Sequence, residues 1–375
     1  MMLRRRALLA SAPAWALLGA STPASRADAG NDPESRVQRG RVLRFPRDHG
    51  AHPGAGIEWW YVTGWLGPSI DAPVAGFQVT FFRRRTGLAA DSTSRFAARQ
   101  LLFAHAALTD LRQRHHRHAE RIARWSGAPD APLAHADLGD TGIVLGRWSL
   151  QRTDGGGLRA QVTDAELRLE LELQPTQPVL LQGDAGFSRK GPLERQASHY
   201  LSEPQLAVRG RIAADGPWLS GRGWLDHEWS DELLAPDAVG WDWIGINLAD
   251  GAALTAFRLR RADGSVSWAG GSWRAVDGAV RTFAPDELHL EPDRSSNSTW
   301  TSGRTGARYP VRWQITTPVG RFVLQPLLDD QELDGRAGTG TVYWEGLSEL
   351  RDAGATRRLG LGYLEMTGYA GRLRL

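Results

Sequence analysis

The sequence predicts an all-β, antiparallel fold, and three observations carry that prediction. Residues 165–173 alternate strictly, with Leu167, Leu169, Leu171 and Leu173 separated by Arg168, Glu170 and Glu172. A period of two puts the leucines on one face of a half-buried strand. Asp-Gly pairs at 250–251, 263–264 and 277–278, with the Asp154-Gly155-Gly156-Gly157 run, mark tight hairpin turns, because glycine tolerates positive φ there. Long stretches of helical periodicity are nearly absent.

In chain order, the first element is a leader. Arg4-Arg5-Arg6 precedes an apolar run over residues 7–20, and Ala27-Asp28-Ala29 supplies a small-x-small cleavage site. That layout predicts a secretory signal peptide over 1–29. Arg5-Arg6-Ala7-Leu8-Leu9 leaves general secretory and twin-arginine export both open. The run is shorter than the ~20 apolar residues of a membrane span, and no later stretch reaches that length. The mature chain is therefore expected to lack a transmembrane segment and to be periplasmic or secreted.

Strand texture follows from about residue 41. Phe77-Gln78-Val79-Thr80-Phe81 and residues 243–248 and 321–324 are read as strands, and the arginine- and histidine-rich residues 110–125 as the one candidate for a short helix. The chain also echoes itself. Glu58-Trp59-Trp60-Tyr61 followed by a turn and Gly76-Phe77-Gln78-Val79-Thr80-Phe81-Phe82-Arg83 is answered by Gly240-Trp241-Asp242-Trp243, a turn and Leu254-Thr255-Ala256-Phe257-Arg258. Each half looks like a tryptophan-rich strand returning through a hairpin. Two similar β domains are expected, covering 37–205 and 206–375. The length of 375 residues suits either two domains or one large all-β unit.

Composition narrows the function. Hydrophobic residues make up 41% of the chain, which excludes wholesale disorder. With no cysteine, disulfides, a thiolate nucleophile, zinc–cysteine sites and iron–sulfur clusters are excluded. The leader holds four Arg and one Asp, which leaves 41 basic and 41 acidic residues beyond it. A mature chain of zero net charge exerts no global pull on nucleic acid or membranes, so no nucleic-acid partner is expected. All but one of the cations are arginine, a bias read as genomic composition; Lys190 is the exception. There is no Gly-x-Ser-x-Gly elbow, Walker A loop or His-Glu-x-x-His helix. Asn297-Ser298-Thr299 matches a glycosylation pattern that a bacterial-type leader makes incidental.

Two clusters are candidates for chemistry. Around Asp48-His49-Gly50-Ala51-His52, Glu58 shares a strand face with Trp60, Val62 and Leu66. Apolar neighbours disfavour ionisation, which makes Glu58 a candidate proton donor; pairing with an arginine for structural reasons is the other reading. The second cluster is Asp226-His227-Glu228-Trp229 with Gly240-Trp241-Asp242-Trp243. On a strand Asp226 and Glu228 share one face, and His227 and Trp229 the other. Acids and tryptophans facing one apolar lumen suit protonation of a C=C bond, with indole faces stabilising the cation; hairpin caps and core tryptophans are the alternative. The flanking arginines make His115-His116-Arg117-His118 a solvated loop rather than a metal site.

These segments resemble the carotenoid 1,2-hydratase (hydroxyneurosporene synthase) and AttH-like family. The resemblance rests on Glu58-Trp59-Trp60-Tyr61-Val62-Thr63-Gly64, Phe103-Ala104-His105-Ala106-Ala107-Leu108-Thr109-Asp110 and Gly186-Phe187-Ser188-Arg189-Lys190-Gly191. It continues through Trp224-Leu225-Asp226-His227-Glu228-Trp229, Tyr343-Trp344-Glu345-Gly346 and Gly362-Tyr363-Leu364-Glu365-Met366-Thr367-Gly368-Tyr369. It implies two lipocalin-like β-barrels packed together, and hydratase chemistry in which an isoprenoid double bond is protonated and water adds. On that template His227 and Trp229 occupy an Asp-His-x-Trp motif. The template's later Tyr-x-Asp is replaced here by Leu254-Thr255-Ala256-Phe257-Arg258-Leu259, which places the chain nearer the secreted AttH-like members.

The expectations are therefore these. Asp226, His227, Glu228, Trp229, Asp242 and Glu58 are the catalytic candidates, and Trp59, Trp60, Tyr61, Trp241, Trp243, Trp344 and Glu345 the ligand-binding ones. The ligand is a hydrophobic small molecule (an isoprenoid, polyene or lipid), with no cofactor and no metal. A carrier for such a ligand, handing it to an ABC-type exporter, is one alternative. A metal-dependent hydrolase built on His49, His52 and His227 is another.

Overall fold

The computed structural model describes residues 36–373, apart from 89–91, 93, 95–96, 129–130, 132, 233 and 296–297. The leader expected over 1–29 and Asn297 lie outside the described residues. Two antiparallel sheets make up most of the fold. The first has thirteen strands curled into a nearly closed barrel; the second has ten and forms a half-barrel. Among the described residues, no helix is long and apolar enough to cross a membrane.

The first sheet opens as a meander of Ile57–Gly67, Ala75–Arg85, Gln100–Asp110 and His115–Trp125. On the other side of Ile57–Gly67 lie Leu219–Ser230, then Ala197–Arg211, then Arg168–Gln174 and a run of shorter strands. The second sheet centres on Ala238–Leu248, flanked by Ala253–Arg261 on one side and by Arg358–Thr367 and Val342–Asp352 on the other. By strand pairing the chain changes sheets between Ser230 and Ala238, later than residue 205.

Leu167, Leu169, Leu171 and Leu173 are buried together in the first core, on the face their alternation assigns them. The helix expected within residues 110–125 is absent. His115–Trp125 is a strand paired along its length with Gln100–Asp110. Its core-facing positions Ala119, Ala123 and Trp125 follow a period of two, but small alanines and interleaved arginines disguise it.

The internal echo proves to be a match in register. Glu58 lies opposite Arg83 and Trp59 opposite Phe82; Asp242 lies opposite Arg258 and Trp243 opposite Phe257. Both carboxylates point into their own barrel and take a guanidinium there. Arg83 Nε donates to Glu58 Oε2 at 2.7 Å, and Arg258 Nε to Asp242 Oδ2 at 2.7 Å. Arg260 Nε lies 2.9 Å from the same Asp242 oxygen, and the Tyr369 hydroxyl donates to Oδ1 at 3.0 Å.

Fully buried ion pairs of this kind contribute little over an apolar replacement, but losing one partner strands the other charge away from water, at about 3–5 kcal/mol. Asp242→Asn is therefore expected to lower the free energy of unfolding by about 3 kcal/mol, measured by urea denaturation at pH 7. A loss below about 1 kcal/mol would show that the pair is not an anchor of the second barrel.

Candidate active site between the barrels

Because alternate residues of a strand face opposite ways, the two tryptophan-rich strands each serve two interiors. Trp60, Val62 and Leu66 enter the first barrel core, while Tyr61 and Trp65 turn outward. There they meet Trp243, Phe257, Leu347 and Tyr363 of the second sheet. A cavity of about 80 Å³ lies in this interface.

Two equivalent cross-strand ladders wall it. In the first sheet Phe82, Trp59, Glu228 and Tyr200 lie side by side on four neighbouring strands. In the second the same positions are Phe257, Trp243, Glu365 and Glu345. All eight side chains line the cavity. The Trp243 indole lies along its own strand because Gly245 follows two residues later, where a Cβ would fall 2.3 Å from the ring. A second hollow of about 170 Å³ shares Ile57, Phe82, Trp241, Tyr343 and Glu365 with the cavity and extends past Leu101 to the exposed Ile122.

The four carboxyl groups here differ in their surroundings. Glu345 is 1% exposed, and neither of its oxygens has a hydrogen-bond partner. Burial, reinforced by the neighbouring Glu365, holds it well above the ordinary carboxylate range, which favours its neutral form. The hydroxyls of Tyr61 and Tyr343 lie beside it as weak donors and pull the other way. Burial pushes Glu365 up to about 7 against the hydrogen bond it accepts from Trp241 Nε1 at 3.0 Å. Burial also pushes Asp226 up to about 7, although Ser202 Oγ, the Tyr200 hydroxyl and Trp224 Nε1 donate to it at 2.5, 2.7 and 2.7 Å. Glu228 accepts a hydrogen bond from Ser198 and pairs with Lys190 Nζ at 2.9 Å.

Of the residues singled out in the sequence, the cavity gathers Trp59, Tyr61, Asp226, Glu228, Trp241, Trp243 and Glu345. Trp60 enters the first core and Trp344 the second. Asp242 is bound to its arginines inside the second barrel. Glu58, His227 and Trp229 turn away from the cavity as well. His227 Nε2 and His52 Nδ1 lie 2.9 and 2.8 Å from Glu58 Oε1, the His227 ring stacks on Trp60, and that of His52 stacks on Trp229.

The expectation that apolar neighbours raise Glu58 is overturned. Burial acts that way, but Arg83 and the hydrogen bonds from His227 and His52 hold it well below the carboxylate range. His52, Glu58 and His227 bring three ligand-type atoms within 4.8 Å of one another. Those atoms already bond one another, and Arg83 occupies the second Glu58 oxygen. His49 is not in the group; its Nδ1 lies 3.8 Å from a Glu203 oxygen. Glu365, Lys190, Tyr200 and Tyr343 are cavity residues that the sequence reading missed. For Glu365 a signal existed, since Tyr363 and Glu365 alternate with Leu364 and Met366 within a segment that carries the family resemblance.

A raised carboxylate makes folding pH-dependent. Glu365 contributes stability that is fully present below about pH 4.5, its ordinary value, and is lost as pH rises through about 7. Glu365→Gln is expected to remove about 1–3 kcal/mol of that decline between pH 4.5 and 7, measured by chemical denaturation across the range. An identical pH profile for variant and wild type would place Glu365 in contact with water.

The AttH-like family profile matches residues 36–369. A crystal structure of an AttH candidate from Nitrosomonas europaea is 43% identical, with a TM-score of 0.79 over 89% of this chain and 99% of that one. Kievitone hydratase from Nectria haematococca shares the fold at 13% identity, with a TM-score of 0.64 over 88% of this chain and 94% of its own. CghA does so at 12% identity, with a TM-score of 0.52 over 89% and 95%. No curated protein sequence matches the chain. With the family profile spanning nearly every described residue, and a relative of 43% identity folded the same way, the chain belongs to the AttH-like family and has its architecture of two packed lipocalin-like barrels.

Proposed function

We propose that the inter-barrel cavity binds an apolar, unsaturated small molecule and hydrates a C=C bond by acid catalysis. The observation that carries this reading is Glu345, a buried carboxyl with no hydrogen-bond partner in an aromatic cavity. A carboxylic acid kept neutral by burial can donate its proton at neutral pH. The Glu345 proton forms a C–H bond with one alkene carbon as the π bond breaks, leaving a cation on the other carbon. The indole faces of Trp59 and Trp243 stabilise that cation through their quadrupoles. Water then adds its oxygen to the cationic carbon, and Asp226 or Glu365 takes the proton released. Return of a proton to Glu345 closes the cycle.

The fold shared with a hydratase is compatible with this chemistry. The leader-like residues 1–29 favour a periplasmic or secreted site of action. The polar, mutually bonded surroundings of Glu58, His227 and Asp242 favour structural work for those three over proton donation to substrate.

In a farnesyl panel incubated in D2O, one deuterium is expected on carbon for each water added, measured by mass spectrometry. Glu345→Gln is expected to reduce turnover by about 10²–10⁴-fold while binding changes little. Wild-type turnover by that variant would remove Glu345 as the donor. Binding without turnover by the wild type would instead favour a carrier.

A further inference from the structure

The sequence contains 45 Lys and Arg residues, and Lys190 is the only lysine. Even the cations buried beside Glu58 and Asp242 are arginines. The one exception follows the Phe187–Arg189 strand, is 5% exposed and lies in the cavity wall. Its Nζ is 2.9 Å from Glu228 Oε1 and donates to Ser188 Oγ at 3.3 Å. An ammonium has three donors. Among the described residues its remaining contacts are ring faces, those of Phe257 and Tyr200, with centroids 4.0 and 4.7 Å away. Both rings line the cavity. An arginine presents five donors in a rigid fork, whereas a compact ammonium can leave one N–H for a guest.

The cavity is thus polarised. A cation stands on the wall of the first sheet, and the neutral acid Glu345 on the wall of the second. Building on the hydratase reading of this cavity, we propose that Lys190 is its specificity-determining residue. It receives a carbonyl or carboxylate oxygen, so the ligand is an apolar unsaturated chain bearing an sp² oxygen rather than a pure hydrocarbon. The polarity also orients the ligand. A carbocation forming beside an ammonium is repelled, so the oxygenated end lies at Lys190 and the alkene being protonated lies at Glu345.

The test is tryptophan-fluorescence titration of the whole protein with three probes of one carbon skeleton: farnesene, farnesal and farnesoic acid. The wild type is expected to bind farnesal or farnesoic acid at least about 10-fold more tightly than farnesene, as a charge-assisted hydrogen bond implies. Preference for farnesal with no Lys190 imine trapped by borohydride marks a carbonyl ligand, and preference for farnesoic acid a carboxylate. Lys190→Met is expected to erase the preference, read as the ratio of farnesene to farnesoic acid affinity within the variant itself. Equal wild-type binding of all three probes, or a preference that survives in Lys190→Met, overturns the Lys190 proposal and leaves the hydratase reading standing. Failure of all three to bind sinks both.

A single lysine gives a second measurement that needs no variant. Farnesoic acid or farnesal should slow acylation of Lys190, followed by peptide mass spectrometry, more than farnesene does at equal occupancy. Equal rates would contradict the proposal even where Lys190→Met fails to fold.

Discussion

A strand has two faces, and in this protein the central strands have both of them buried. Ile57–Gly67 and Ala238–Leu248 each fill a barrel with one set of alternate side chains and meet the opposite barrel with the other. Neither set can be exchanged for polar residues without uncovering apolar surface. The tryptophan density of these strands, the cavity between the sheets and the separation of paired from unpaired carboxylates all follow from that double burial.

The same constraint sorts the acids. Inward-pointing Glu58 and Asp242 sit where a neighbouring strand supplies an arginine in register, so both are held by fixed bonds. Outward-pointing Glu345 has Glu365 as its cross-strand neighbour instead. A like charge and burial act together there, and the carboxyl keeps its proton. Carboxyl groups on the two faces of one sheet thus meet opposite surroundings from their strand face alone.

Much of this was legible in the sequence. Alternation at residues 165–173 and the Asp-Gly turns identify the strands, and the repeat of Glu58–Arg83 as Asp242–Arg258 is visible as spaced letters. The division of Asp226 and Glu228 from His227 and Trp229 also follows from counting by two. Which of those faces borders the cavity does not, because both are rich in aromatic residues and only the packing of one barrel on the other distinguishes them. The arginine partner of Glu58 lies 25 residues away on the next strand, so apolar sequence neighbours misstate its surroundings. His115–Trp125 escaped recognition because alanines carry its inward face and charge dominates the letters.

The two ladders of four residues differ most in kind at their last rung, where Tyr200 of the first repeat stands in the place of Glu345 in the second. The equivalence makes the two ladders repeats of one pattern, alike at three rungs. At the fourth, one carries an acid and the other a phenol backed by a cation. Neither barrel alone holds a complete set, so the halves have become interdependent: drift in either repeat is constrained by what the other no longer supplies.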